Sequence, residues 1–484
     1  MGLDPGLRRL ALGTLLAAYP GPVPPDWAVD LVAEGLAGHT LFGTNVHDPA
    51  QVAASTAALR AGRADVLVAI DEEGGDVTRL AHATGSPYPG NAALGAVDDA
   101  GLTREVYAAI GAELAALGVT LDLAPTVDVN TADENPVIGT RSFGADPVRV
   151  AVHSAAAVLG LQSAGVAACA KHFPGHGATV ADSHHELPTV DVAAEVLRQR
   201  DLPPFAAVID AGVEAIMTAH IRVPALTGDG PATFSRAVLV DLLRGEYGFT
   251  GVVVTDALEM QGAALAAGGV GPAAVRALAA GADLLCVGAQ VDAPLVERVV
   301  TGIVEAIGDG GLDRARVEQA AERTAGMAAR TRAATAVPAA SDLGYAAARR
   351  AVRVEGTVDG LDRPLVVQVY AASTIAEGRV PWGLGPHLAD VEQVRVVAEE
   401  ADPQQLRRLA GSRPIVLVGR HLHRLPGGTD LVAALAAAHP TTVVEMGWPA
   451  AWRPAGARAF VTTYGASHAN GRAAAEALGL AAKV

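Results

Sequence analysis

The densest group of reactive side chains is the run Lys171-His172-Phe-Pro-Gly-His176-Gly, followed closely by Asp182-Ser183-His184-His185-Glu-Leu-Pro188. Several histidines and an aspartate so near one another could bind a metal. Against that, Pro174, Gly175 and Gly177 break the spacing, so no helix sets two of them on one face, and Lys171 adds a cation to an already cationic site. The competing reading is proton chemistry. In a pair such as Asp182-x-His184 the carboxylate fixes the imidazole tautomer and raises its basicity, and such a ring gives and takes a proton near neutral pH. Loop histidines bonded only to backbone are the third reading. A second motif is GVVVTDALEM, in which Asp256 closes a wholly apolar strand. A carboxylate has no packing role there, and as a nucleophile it could attack an anomeric carbon to form a covalent glycosyl-enzyme. Glu259 competes for that role, or else sits in the first turn of a helix, where acids suit the dipole. Asp71 in DEEGG, Arg79 eight residues on and Arg141 in NPVIGTRSFG carry the bidentate groups that grip sugar hydroxyls, although a surface salt bridge explains each of them as well.

Lysine adds a compositional signal. Only Lys171 and Lys483 occur, while arginine is common. Where arginine serves every plain positive charge, a lysine inside the chain suggests a site that needs a compact ammonium on a flexible stem, the bland alternative being chance survival.

The elements that must position these groups are short β-branched runs alternating with Ala-rich helical stretches up to about residue 335. The predicted strands are HTLF near 40, then 66–70, 119–124, 166–171, 215–221, 251–256 and 283–288. Alternating β and α over this length argues for a parallel sheet, and continuous apolar runs argue for strands buried on both faces. Seven or eight such units, with no GxGxxG after the first strand, fit a (β/α)8 barrel of the TIM type better than a Rossmann sheet. Asp71, Asp122, Asp128, Lys171-His172, His220 and Asp256 then fall at or beside successive strand C-termini and converge on one mouth, where this fold does its chemistry. The expected division is a catalytic barrel over 1–335, a linker over 336–350 within the small, polar break TRAATAVPAASDLG–YAAARR (331–350), and a smaller α/β sandwich-like domain over 351–484. In that domain strands are predicted at 364–370, 414–420, 441–448 and 458–465, with a charged helical stretch after the first and a helix at the end.

The bulk numbers exclude more than they assign. A net charge of −16 with no basic stripe argues against nucleic acid as a partner. Cys169 and Cys286 lie in apolar runs and read as reduced core residues. LRRLALGTLLAA resembles a signal segment, but Asp4 precedes it and no convincing cleavage site follows. No apolar stretch is long enough to span a bilayer, and a cytoplasmic location is the expectation.

Together the motifs AIDEEGG, NPVIGTRSFG, KHFPGHG, DSHHELP, TAHIRVPAL and TDALEM, in that order, resemble the β-N-acetylglucosaminidase branch of glycoside hydrolase family 3 along nearly the whole first domain. The resemblance implies Asp256 as nucleophile, His184 as acid/base and Asp182 as its partner. It implies Asp71, Arg79, Arg141, Lys171 and His172 as ligands of the N-acetylglucosamine ring, and neither metal nor cofactor. The implied activity is retaining, exo-acting release of β-linked N-acetylglucosamine from peptidoglycan fragments or chitooligosaccharides. Phosphorolysis to N-acetylglucosamine 1-phosphate is the alternative, with phosphate as acceptor. A non-catalytic sugar-binding protein on a retired barrel would be expected to have lost Asp256 or the Asp182/His184 pair, and this chain has both. Two positions depart from the common pattern: Glu72 stands where glutamine is frequent, and Ala178 where aspartate is.

Overall fold

The computed structural model describes residues 3–288, 292–331 and 342–482. The chain divides into two compact units that interleave along the sequence. The first takes Met1–Glu72, Ala100–Ile138 and Gly144–Ala339; the second takes Glu73–Asp99, Gly139–Phe143 and Ala340–Val484. The second unit therefore draws residues from within the span read above as barrel domain. The linker span lies partly outside the described residues, and its latter part runs into a helix, Leu343–Ala351.

The first unit is a parallel eight-stranded sheet of β1 (Leu15–Ala17), β2 (Gly38–Leu41), β3 (Leu67–Ile70), β4 (Leu121–Asp122), β5 (Ala167–Phe173), β6 (Ala215–Thr218), β7 (Val252–Thr255) and β8 (Leu285–Cys286). Neighbours pair in chain order, β8 pairs with β1, and a parallel bridge between Val254 and Leu284 closes the ring. This is the TIM-type barrel. Its interior is filled by alternate residues, including Leu67 and Ala69, Leu121 and Leu123, Ala167 and Cys169, Ala215 and Met217, Val252 and Val254, and Leu284 and Cys286. Both cysteines are thus free, buried core residues. Side chains alternate along a strand, so the inward parity of Ala69, Cys169 and Val254 continues two residues on to Asp71, Lys171 and Asp256. β1 was not among the predicted strands. The signal-like stretch that hides it folds as a helix, Pro5–Leu12, whose first turn is capped by Asp4 (2.9 Å to the Leu7 amide), followed by β1 itself. No single helix among the described residues is long and apolar enough to cross a membrane.

The second unit is built on a sheet ordered β11-β10-β12-β13-β14-β9, from β9 (Arg353–Gly356), β10 (Leu365–Val369), β11 (Gln393–Val396), β12 (Ile415–Gly419), β13 (Thr441–Glu445) and β14 (Ala459–Thr462). All pairs are parallel except β14 with β9. Alternate residues feed two cores, Leu365, Val367, Ile415 and Leu417 on one face and Val366, Val416 and Val418 on the other. The four central strands match the predicted apolar runs. The charged stretch read as helical instead contains β11 before a helix at Pro403–Ala410. β11 and β9 lie at the sheet edges, half-buried QVRV and exposed RVEG, so neither carries the apolar run that betrays a central strand.

Candidate active site

Three carboxylates, two of them fully buried, organise the strand ends of the barrel. Asp71, just past β3, accepts a 2.7 Å hydrogen bond from Lys171 Nζ at the inner face of β5. Lys171 is only 2% exposed, and the Asp71 carboxylate offsets part of the cost of burying its ammonium group. Asp122 ends β4 beneath them and accepts from the Glu72 amide (2.9 Å), which holds the backbone that presents Asp71. Burial, reinforced by the nearby charges of Glu72 and Asp71, pushes Asp122 well above the carboxylate range. Asp128 takes the His172 ring Nδ1–H (2.7 Å) and the His176 amide (2.6 Å). Burial opposes its ionisation, but His172 and His176 outweigh that and hold Asp128 below its usual range. Sequence reasoning placed Asp128 at a strand end and gave it no role. Its signal is that β4 and β5 are neighbours, with the Val127 amide donating to the Lys171 carbonyl at 2.7 Å.

Beyond β5 the chain enters the glycine-containing loop. His184 Nδ1 donates to Asp182 Oδ1 at 2.6 Å, and the His184 amide donates to the same oxygen at 2.9 Å. Burial would raise the Asp182 carboxyl, yet these two bonds and the imidazole charge bring it down to about 2. With Nδ1 committed to an ionised carboxylate, Nε2 is the position through which His184 can exchange a proton. His185 has no such bond to Asp182 through its ring; its amide donates to the Asp182 carbonyl in the loop turn.

Asp256 follows β7 and accepts from the Ala257 amide (2.8 Å). It is no helix cap, since the next helix starts at Gln261. Burial works against its charge, but the imidazoles of His220, His172 and His184 outweigh it and hold the carboxyl below its usual range. His220, near the end of the fifth predicted strand run, is fully buried, with Nε2 donating to the Ala257 carbonyl (3.0 Å) and Nδ1 against Thr233 Oγ1 (2.8 Å). Burial lowers its pKa, and the bond to the Ala257 carbonyl fixes the backbone on which Asp256 stands. Glu259 accepts from the Gly288 amide (2.9 Å) just past β8, and burial raises its carboxyl. The two candidate nucleophiles thus separate: Asp256 is ionised, and Glu259 ties a loop to a strand end. Among the described residues no cluster of three or more His, Cys, Asp or Glu is placed to hold a metal ion.

The two predicted arginines belong to the second unit. Arg141 makes a buried fork on Glu73, Nε to Oε2 at 2.9 Å and Nη2 to Oε1 at 2.7 Å. Arg79 donates to the Ala376 carbonyl at 2.9 Å. The structure therefore groups Asp71, Lys171, His172, Asp182, His184 and Asp256 in one unit and Arg79 and Arg141 in the other.

Comparison with known proteins places this arrangement in context. Residues 25–327 match the glycosyl hydrolase family 3 N terminal domain. The "Beta-hexosaminidase" of Chromobacterium violaceum is 41% identical over 257 residues, covering 52% of this chain and 71% of that protein. The "Beta-hexosaminidase A" of Pseudoalteromonas piscicida is 40% identical over 262 residues, 50% of this chain, and the match spans only 44% of that longer relative. A solved glycoside hydrolase family 3 β-N-acetylglucosaminidase from Paenibacillus sp. str. FPU-7 superposes with a TM-score of 0.88 at 33% identity, covering 98% of this chain and 97% of that one.

Proposed function

This chain belongs to glycosyl hydrolase family 3, and from that membership as a glycoside hydrolase we propose that it is a retaining exo-β-N-acetylglucosaminidase working by double displacement. The observation that carries the reading is an ionised carboxylate, Asp256, at the end of an apolar barrel strand, together with an Asp182–His184 pair whose loop rests on the start of the helix after it, the Gly262 amide donating to the Ser183 carbonyl at 3.3 Å. In the first step Asp256 attacks the anomeric carbon while His184 Nε2 delivers a proton to the departing oxygen. The bond to the aglycone breaks as the glycosyl–Asp256 ester forms. In the second step neutral His184 takes a proton from water, whose oxygen displaces Asp256 and restores the β-anomer. Asp71, Lys171, His172, Arg79 and Arg141 are assigned to the N-acetylglucosamine ring, on the strength of the family resemblance and of the polar, bidentate or cationic groups they carry. Peptidoglycan fragments and chitooligosaccharides are the proposed substrates, and the cytoplasm the proposed site of action. No metal or cofactor enters the scheme.

Early product spectra on an aryl β-N-acetylglucosaminide test it: β-N-acetylglucosamine is expected to form first, and initial α-anomer overturns the double displacement. A second reading, phosphorolysis, is favoured by the identity of the acid/base group. After proton delivery a carboxylate would face the incoming nucleophile as an anion, whereas His184 is neutral and presents no charge to repel phosphate. Assay of sugar phosphate against free sugar, in phosphate and in a non-nucleophilic buffer of equal ionic strength, separates the two acceptors.

A further inference from the structure

His176 belongs to the motif that marks the site, yet none of the proposed steps uses it. It is 2% exposed, and burial together with the neighbouring His172 holds its pKa at about 4, so the ring is neutral. Both ring nitrogens are nevertheless engaged. Nδ1 meets Thr179 Oγ1 at 2.7 Å, and Nε2 meets Ser183 Oγ at 3.1 Å. Its backbone is equally tied, the amide to Asp128 (2.6 Å) and the carbonyl to Asn135 Nδ2 (3.0 Å). The residue is therefore rooted in the strand ends and reaches across the loop to Ser183, which separates Asp182 from His184.

Ser183 is itself 3% exposed and held from a second direction, its carbonyl accepting from the Gly262 amide at 3.3 Å. A side chain at Gly262 would crowd that approach. A Cβ on Gly262 would stand 3.0 Å from the Glu186 carbonyl oxygen, 3.1 Å from that of Ser183 and 3.2 Å from His220 Cβ. The far end of the loop is fixed by pairing with the segment after β6, the Arg222 amide donating to the Pro188 carbonyl (2.8 Å) and the Val190 amide to the Arg222 carbonyl (2.9 Å). Between these anchors Ser183 is buried and held from two directions, by His176 and by the Gly262 amide.

We infer that His176 and Ser183 form a clasp that sets the position of the Asp182–His184 pair, and that they are positioning residues for proton transfer rather than groups that touch substrate. This rests on the acid/base reading of His184. The clasp acts only through the dyad, so its loss reproduces the dyad's pattern at smaller amplitude. Loss of the Ser183 hydroxyl alone removes one hydrogen bond from a buried site and keeps the chain's packing.

The test compares kcat/KM, which reports the first displacement, for aryl β-N-acetylglucosaminides whose leaving groups range from dinitrophenolate to unsubstituted phenolate. Ser183→Ala is expected to lose roughly tenfold on the phenyl glycoside and to change little on the dinitrophenyl one, because an activated phenolate departs without a proton. His176→Leu should lose more, and His176→Gln, whose amide still reaches Ser183, less. The double variant Ser183→Ala/His184→Ala should be no worse than His184→Ala alone, since a residue acting through His184 has nothing left to position. Equal losses on both glycosides, or a further loss in the double variant, overturn the clasp. If His184→Ala itself shows no dependence on leaving group, the acid/base reading has failed instead. Should His176→Leu not fold, Ser183→Ala and its double variant still decide the matter.

Discussion

Asp256 and Glu259 are three residues apart and differ in what surrounds them. Imidazoles around Asp256 keep it ionised, whereas burial raises Glu259, which is spent on the Gly288 amide. Asp256→Ala is expected to lower turnover of aryl β-N-acetylglucosaminides by several powers of ten, on the order of 10⁴ or more. A fluorinated donor that traps the intermediate should label Asp256, and label on Glu259 would reverse the assignment. For the dyad, His184→Ala and Asp182→Ala should harm substrates with poor leaving groups far more than nitrophenyl glycosides, by about 10² or more in relative kcat/KM. Equal losses would make the pair structural.

At the level of elements, close approaches between the loop and the strand ends depend on missing side chains. Gly177 packs against the Val129 carbonyl with no room for a Cβ, and its own carbonyl accepts from the Thr131 amide at 3.1 Å. Gly177→Ala must move one backbone segment off the other. It is expected to cost about 1–3 kcal/mol, read as a lowered denaturation midpoint at unchanged slope. An unaltered midpoint would mean that the loop root yields without strain.

Across the whole molecule, the second unit is held together by charges that no local pattern announces. Arg420, just past β12, pairs with Glu377 (2.5 Å) and with Asp76 (3.2 Å), all three nearly buried, and Asp76 also accepts from Thr140 Oγ1 (2.7 Å) and the Ala466 amide (2.8 Å). This is how the segment Glu73–Asp99 joins a sheet that begins far along the chain. Arg420→Met leaves two carboxylates buried without their cation and should cost about 3–5 kcal/mol of stability. A loss under about 1 kcal/mol in urea unfolding would show that water reaches the pair. Glu445, which ends β13, gives a pH signature. Burial pushes its carboxyl from 4.5 up to about 7 against the amides of Leu422, Gly447 and His421 and the charge of Arg420. A raised carboxyl binds its proton more tightly when folded, so its contribution is complete below the unfolded value and is lost as pH rises. Stability should therefore fall between pH 4.5 and about 7, by up to about 3 kcal/mol from this group. Glu445→Gln should flatten that part of the stability–pH profile, and an unchanged slope would assign it elsewhere.

What could be read from the residues alone was whatever depends on burial along a strand and on motif order. Continuous apolar runs marked seven barrel strands and the four central strands of the second sheet, because a strand covered on both faces must be apolar throughout. Their place at strand C-termini then set Asp71, Lys171 and Asp256 at one mouth, and the KHFPGHG and DSHHELP motifs carried the family. Strands without that burial were invisible: β9 and β11 lie at edges, and β1 is three residues long behind a signal-like run. Partners distant in sequence were equally hidden. Asp128 becomes the anchor of His172 only because β4 lies beside β5. His176 joins Thr179 and Ser183 only when the loop folds back on itself. Arg79 and Arg141 fall to the second unit because Glu73–Asp99 and Gly139–Phe143 pack with residues some three hundred positions later. Periodicity encodes which face of an element is buried, whereas the choice of partner among buried polar groups is made by chain closure, and only the folded molecule contains it.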